Sequence, residues 1–366
     1  MWQEGHQLQT SYMQWGLFLY NNQEGRNGMK TLIIESPKSL ILKEVETPSP
    51  SEGETLLKMV AGGICGSDLG IYRGTMAYGA YPRIPGHEFA AEIVKINGEP
   101  LNFTEGQIVT ANPYFNCEHC YSCQRGFVNC CTDNQTMGVQ RDGAFSQYFI
   151  MPTKRLIDGK GLPAEILTLI EPFCISYHGI KRAEVKAGEK VLIIGAGTIG
   201  ILALFAAKAR GAQVYVCDVA REKLNKAQEF GADGVILNDR PENFQKRVKE
   251  ITSDNGFDVT VEAVGLPSTF QNAVDAAACR ARIVLVGISQ RPLEFSFNVI
   301  QKKELSIMGS RNAFTEDFEE LIELVKTQDI GLERIITNRY HFIDAPKAFQ
   351  EFDEKQGSML KVLIQF

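Results

Sequence analysis

Ten consecutive residues constrain this chain most: Val191-Leu192-Ile193-Ile194-Gly195-Ala196-Gly197-Thr198-Ile199-Gly200. Four apolar residues, a glycine-rich turn and the apolar helical run 201–209 predict a strand–turn–helix unit. Gly195, Gly197 and Gly200 fill the G-x-G-x-x-G spacing. The first permits a tight turn, the second lets the backbone approach a pyrophosphate, and the third packs helix on strand. Backbone N–H groups at the helix start, around Thr198 and Ile199, then face the phosphates. A second apolar run, Val214-Tyr215-Val216-Cys217, ends in Asp218, 23 residues after Gly195. That is where an acid is needed for the adenosine ribose, so a dinucleotide site is expected rather than a glycine turn of another α/β fold.

At 366 residues the chain suits two domains with substantial cores. Its 44% hydrophobic and 22% charged content is that of an ordered globular protein. A net charge of −6 argues against a nucleic-acid surface. No apolar run approaches the ~20 residues of a membrane span. The nine cysteines are odd in number, and four of them, at 117, 120, 123 and 131, have metal-ligand spacing. No Lys or Arg precedes the short apolar patch 15–20, so a secretory signal is not expected and a reducing cytoplasm is. Residues 1–28, rich in Gln, Asn and Gly, are read as an upstream start or a disordered extension.

From Met29 to about Pro152, short alternating runs such as 55–60, 92–96 and 107–110 predict a mainly β domain. From about Lys190 to Gly309 the pattern alternates in the βαβ manner. Apolar runs at 235–237, 257–261, 283–287 and 305–308 are separated by helical segments such as 242–251 and 268–277. About six parallel strands in a doubly wound sheet are expected. An amphipathic helix follows at 315–326, and the final apolar run 361–364 is expected to return to the first domain.

Chemistry clusters in the turns of the β domain. Cys117, Cys120, Cys123 and Cys131, spaced C-x2-C-x2-C-x7-C, suit a closed tetrahedral zinc site that pins a short loop. The adjacent Cys130 is an alternative ligand that register disfavours, and His119 is read as a surface residue between ligands. A second constellation comprises Cys65, His87, Glu88 and Glu171. Thiolate, imidazole and carboxylate are the ligand set of an open zinc site whose fourth position admits an alcohol oxygen. Cys65 and His87 are the firm ligands, Glu88 and Glu171 compete for the third place, and Cys174 is a fallback.

Taken together, Cys65-Gly66-Ser67-Asp68, Gly86-His87-Glu88, the four-thiol lobe, Glu171-Pro172 and the glycine turn resemble, in family order, the zinc-dependent medium-chain alcohol dehydrogenases. The resemblance spans 29–366. It implies a GroES-like, mainly β catalytic domain (29–178 and 313–366, with a zinc lobe near 113–132) interrupted by a Rossmann NAD-binding domain (179–312). It also implies one catalytic and one structural zinc per chain, with Ser67 beginning a proton relay and hydride passing to NAD. Glu171-Pro172 resembles the polyol and threonine dehydrogenase branch. The stretches Lys302-Lys303-Glu304, Met308-Gly309-Ser310-Arg311-Asn312 and Glu316-Asp317-Phe318 resemble sugar-acid dehydrogenases acting on L-galactonate or L-gulonate. Arg311 is thus a candidate to hold a substrate carboxylate or hydroxyls, or else a structural partner for Glu171. Two departures stand out: Ala91 where the family usually has Gly, and Gly70 where many relatives carry a relay histidine. The expected partner is a small hydroxylated molecule, and a homodimer or homotetramer is expected. A non-catalytic NAD-binding sensor is the reading from another class.

Overall fold

The computed structural model of the protein describes residues 28–355 and 357–366. The expected extension lies outside these residues except for Gly28, which opens the first strand, Gly28–Ser36.

The glycine turn belongs to a six-stranded sheet whose order is Gly234–Leu237, Gln213–Asp218, Lys190–Ile194, Phe257–Glu262, Ala277–Leu285, Ser306–Gly309. Every neighbouring pair is parallel. Numbered along the chain, the order is third, second, first, fourth, fifth, sixth, so the direction of winding reverses beside Lys190–Ile194. A crevice opens beyond the strands' carboxyl ends at such a switch point. The apolar helix Thr198–Ala209 buries Ile201 to Ala207 against one face of the sheet. Phe244, Val248, Ala273 and Val274, from the helices Pro241–Thr252 and Pro267–Ala276, fill the other. Helices on both faces explain why these strands read as unbroken apolar runs.

One boundary differs from expectation. The run 283–287 marks only the end of a longer strand that begins at Ala277. Its alanine-rich start has helix propensity, but Ala277 pairs across from Phe257, and an irregularity in the register absorbs the exposed Cys279 and Arg280. Tertiary pairing outweighs the local preference here.

The other sheet is mixed. Its path runs Ile336–His341, Lys361–Gln365, Glu54–Ile64, Glu88–Asn97, Ile108–Ala111, Leu156–Asp158, with Tyr148–Pro152 also paired to Glu54–Ile64. The strand Lys361–Gln365 runs antiparallel to 61–64, so the last residues of the chain pack against some of the first. Helix Ile170–Arg182 joins the two sheets, packing against Thr198–Ala209 and Thr315–Thr327. Ala91 sits buried within Glu88–Asn97 and is not among the residues with positive φ, so alanine is unstrained there.

Candidate active site

Cys65 ends the long strand Glu54–Ile64 and caps helix Gly66–Arg73. His87 precedes, and Glu88 begins, the neighbouring antiparallel strand. The two strands approach closely at Gly63, where a Cβ would lie 2.1 Å from Glu88 Oε2. Any larger residue there would displace the carboxylate. The ligand atoms of Cys65, His87 and Glu88 all lie within 4.8 Å of one another.

Asp68 organises these turns. It is fully buried, and its carboxylate accepts hydrogen bonds from Cys65 N (2.9 Å) and Gly86 N (3.0 Å), tying the two ligand-bearing segments together. Asp68 Oδ1 also lies 3.8 Å from His87 Nδ1, a buried nitrogen with no hydrogen-bond partner. Ser67 Oγ lies 3.3 Å from the other ring nitrogen, Nε2. Burial disfavours a charged His87, yet Asp68 and Cys65 beside it raise its pKa well above the usual range. Asp68, Glu88 and Glu171 are buried, and Lys361, also buried, pairs with Glu88. A pocket with that excess of negative charge and an unpartnered imidazole nitrogen fits a divalent cation.

The structure treats the two candidate third ligands differently. Both Glu88 oxygens accept from Lys361 Nζ at 2.6 Å, and the pair is buried. Glu171, in the first turn of Ile170–Arg182, stands outside the tight cluster and accepts a hydrogen bond from the Tyr114 hydroxyl on one oxygen. Burial, with Glu88 adding to it, pushes the Glu171 carboxyl up to about 7. Arg311 is exposed and is not Glu171's partner; it contributes its backbone carbonyl to Asn129 Nδ2 (3.0 Å). Cys174 is fully buried, and burial raises its thiol well above the ordinary range. That is a hydrophobe's environment.

The four lobe thiols converge within 4.8 Å, and Cys130 and His119 are not among them. Cys117 N donates to Cys131 Sγ (3.2 Å) and Cys120 N to Cys117 Sγ (3.4 Å), so backbone amides turn toward the sulfurs. Backbone hydrogen bonds, those around Cys123 first, hold the Cys120 pKa down to about 5. The helix Tyr121–Gln124 buries no residue, so this lobe has almost no core of its own.

At the glycine turn, Gly195 has φ +104°, and a Cβ on Gly200 would sit 1.8 Å from the Gly195 carbonyl oxygen. A Cβ on Gly197 would meet nothing within 4 Å, which leaves room for a ligand against the backbone. Gly197 caps helix Thr198–Ala209, so the free amides of Thr198 and Ile199 point into that space. Asp218 ends its strand as expected, but its carboxylate also accepts from Ala196 N (2.7 Å) and Ala220 N (2.9 Å). It therefore shapes the turn.

Sequence reasoning gave no role to Asp68, Tyr114 or Lys361. Asp68 carried a signal: an acid three residues after a helix-capping position is a capping-box pattern. Tyr114 and Lys361 carried none, because they reach the site only across 57 and 273 residues of chain.

Family comparison matches residues 51–162 to the alcohol dehydrogenase GroES-like domain and residues 198–327 to the zinc-binding dehydrogenase domain. The chain is 34% identical over 341 residues to the L-galactonate-5-dehydrogenase of Escherichia coli K12, covering 92% of this chain and 99% of that one. It is 32% identical over 320 residues to the L-threonine 3-dehydrogenase of Pyrococcus furiosus, covering 86% and 90%. The alcohol dehydrogenase RspB of E. coli CFT073, solved with NADH, superposes with a TM-score of 0.85 at 34% identity over 93% of this chain and 99% of that one.

Proposed function

Because the chain belongs to the zinc-type medium-chain alcohol dehydrogenases, we propose that it oxidises a secondary hydroxyl of a sugar acid or polyol to a ketone, reversibly, with NAD. The observation that carries this reading is the convergence of the Cys65, His87 and Glu88 ligand atoms, with buried Glu171 as a further carboxylate, in a molecule that also carries the glycine turn. Zinc held by these residues would supply Lewis-acid polarisation of the substrate hydroxyl, and NAD+ held at the glycine turn would supply the hydride acceptor.

The chain's own residues do the rest. Cys65 and His87 hold the metal. Glu171 serves as third ligand more readily than Glu88, since both Glu88 oxygens are engaged by Lys361 whereas Tyr114 holds only one oxygen of Glu171. Ser67, half-buried beside His87, accepts the hydroxyl proton as it releases its own to the cofactor's ribose hydroxyls and water. Gly70 is buried in helix Gly66–Arg73, so no side chain extends the relay from that position. The amides at Thr198 and Ile199 orient the pyrophosphate. Cys117, Cys120, Cys123 and Cys131 hold a second, structural zinc. Self-association into a dimer or tetramer is also proposed. Exposed Ile288 and Phe297, on the connection between the last two strands of the parallel sheet, support it.

The substrate reading is tested by screening hexonates, polyols, L-threonine and simple alcohols with NAD+. A hexonate or polyol should give the highest kcat/KM. Arg311→Ala should raise KM for acids more than for neutral polyols, because Arg311 is exposed and has no ion pair among the described residues. A clear preference for threonine or a primary alcohol would reject the assignment. No turnover with any class would favour the sensor reading.

The cofactor reading has its own test. A 2′-phosphate beside Asp218 meets repulsion of roughly 2–4 kcal/mol at an effective dielectric near ~20, less with salt. NAD+ should therefore be preferred over NADP+ by tens to hundreds of fold at ~1.4 kcal/mol per decade. Asp218→Gly, which removes the charge, should relax this preference and free Arg221, exposed in the first helical turn, to meet the phosphate. It also removes the acceptor of Ala196 N and Ala220 N. Asp218→Asn is thus the cleaner variant and should relax the preference with less loss of Tm. Equal use of NADP+ by the unaltered protein would show that Asp218 does not face the ribose.

A further inference from the structure

Two of the three segments that bear candidate catalytic ligands are spanned by a single cation. Lys361 Nζ donates to the carbonyl of Ile64 (3.3 Å), the residue before Cys65, and to both oxygens of Glu88 (2.6 Å), the residue after His87. Lys361 is 3% exposed, so this contact is shielded from water. The peptide unit that carries it is itself gripped. Thr337 Oγ1 accepts from Leu360 N (3.2 Å) and donates to the Lys361 carbonyl (3.1 Å). The Leu360 carbonyl accepts the hydroxyl of Thr198, the first residue of the helix whose free amides face the dinucleotide crevice. A second tie crosses nearby, from Lys226 Nζ to the Ser358 carbonyl (3.0 Å).

We propose that Thr198 is a positioning residue whose hydroxyl couples the cofactor turn to the metal site through the Leu360–Lys361 peptide and the Lys361 clamp. A dinucleotide that restrains the start of helix Thr198–Ala209 thereby restrains Leu360, then Lys361, and through its clamp the spacing of the preformed Ile64–Cys65 and His87–Glu88 segments. Metal entering the restrained site has less residual motion to lose, which makes the two binding events mutually favourable. The Thr198 amide serves the phosphate and its hydroxyl serves the link, so the two roles separate by substitution. Thr198→Val removes the hydroxyl and keeps the amide and the branched shape.

This inference rests on the NAD and zinc reading above, and the test separates the two. NADH affinity is measured by fluorescence titration. Equilibrium zinc affinity is measured by chelator competition, with and without saturating NADH. In the unaltered protein NADH should tighten the more weakly held zinc by at least about fivefold. In Thr198→Val, NADH should still bind but change zinc affinity by no more than about twofold, the usual additivity limit. Thr198→Ser should retain the coupling. If the unaltered protein does not bind NADH or zinc, the underlying reading fails. If it binds both without coupling, or if Thr198→Val keeps the full coupling, the link is wrong. Loss of NADH binding in Thr198→Val with binding kept in Thr198→Ser would make Thr198 a cofactor ligand instead of a link, and would overturn the proposal.

Discussion

Cys65→Ser is expected to lower turnover by about three orders of magnitude while leaving a cooperatively folded protein. The loss corresponds to the several kcal/mol of transition-state stabilisation that a correctly held metal supplies, at ~1.4 kcal/mol per decade. Folding should survive because Cys65 sits where a preformed strand meets a helix. Its backbone amide is held there by Asp68, independently of any metal. Cys120→Ser should do the opposite kind of damage. In the lobe Tyr121–Gln124 contributes no buried residue and Val128–Cys130 only Asn129, so convergence of the four thiols is what keeps that loop in place. Its expected effects are loss of soluble protein or rapid proteolysis near residues 117–131. Metal analysis should give two zinc equivalents for the unaltered protein and about one for each variant that can be purified. The reverse pattern, a folding defect in Cys65→Ser and an inactive but stable Cys120→Ser, would show that the two sites have been exchanged.

Lys361→Met should destabilise the protein by about 3–5 kcal/mol, because it strands the Glu88 carboxylate in a buried site without its partner. The hydrophobic stem is kept, so the loss comes from the charge rather than from a cavity. Adding Glu88→Gln should return most of that stability, since a neutral amide is far cheaper to bury than an unpaired charge. Urea denaturation of the two single variants and the double variant measures the coupling. If Lys361→Met costs less than ~1 kcal/mol, the level of an exposed pair, then water or another cation reaches Glu88 and the clamp is not closed.

Much of the architecture was legible from local pattern. The glycine spacing, the acid ending the next apolar run and the βαβ alternation pointed to the parallel sheet, because buried parallel strands must be apolar on both faces. The clustering of Cys117, Cys120, Cys123 and Cys131 was legible for a similar reason. Ligands on one short loop converge through spacing alone. The start of the strand at Ala277 was not, because alanine-rich segments favour helix until a neighbouring strand claims them.

The sequence by itself determined which residues are chemically equipped: the thiols, His87, the two glutamates, the glycine turn and Asp218. Only the tertiary structure decided how they are divided. It set Glu88 against Lys361 and Glu171 against Tyr114, and left Arg311 exposed. It also made Asp68 the tie between two ligand turns and Thr198 a bridge to Leu360. These outcomes turn on which buried charge finds a partner, and the partners come from strands far apart in the chain. Local spacing carries no information about them, and the cost of burying an unpaired charge fixes them once the sheets are packed.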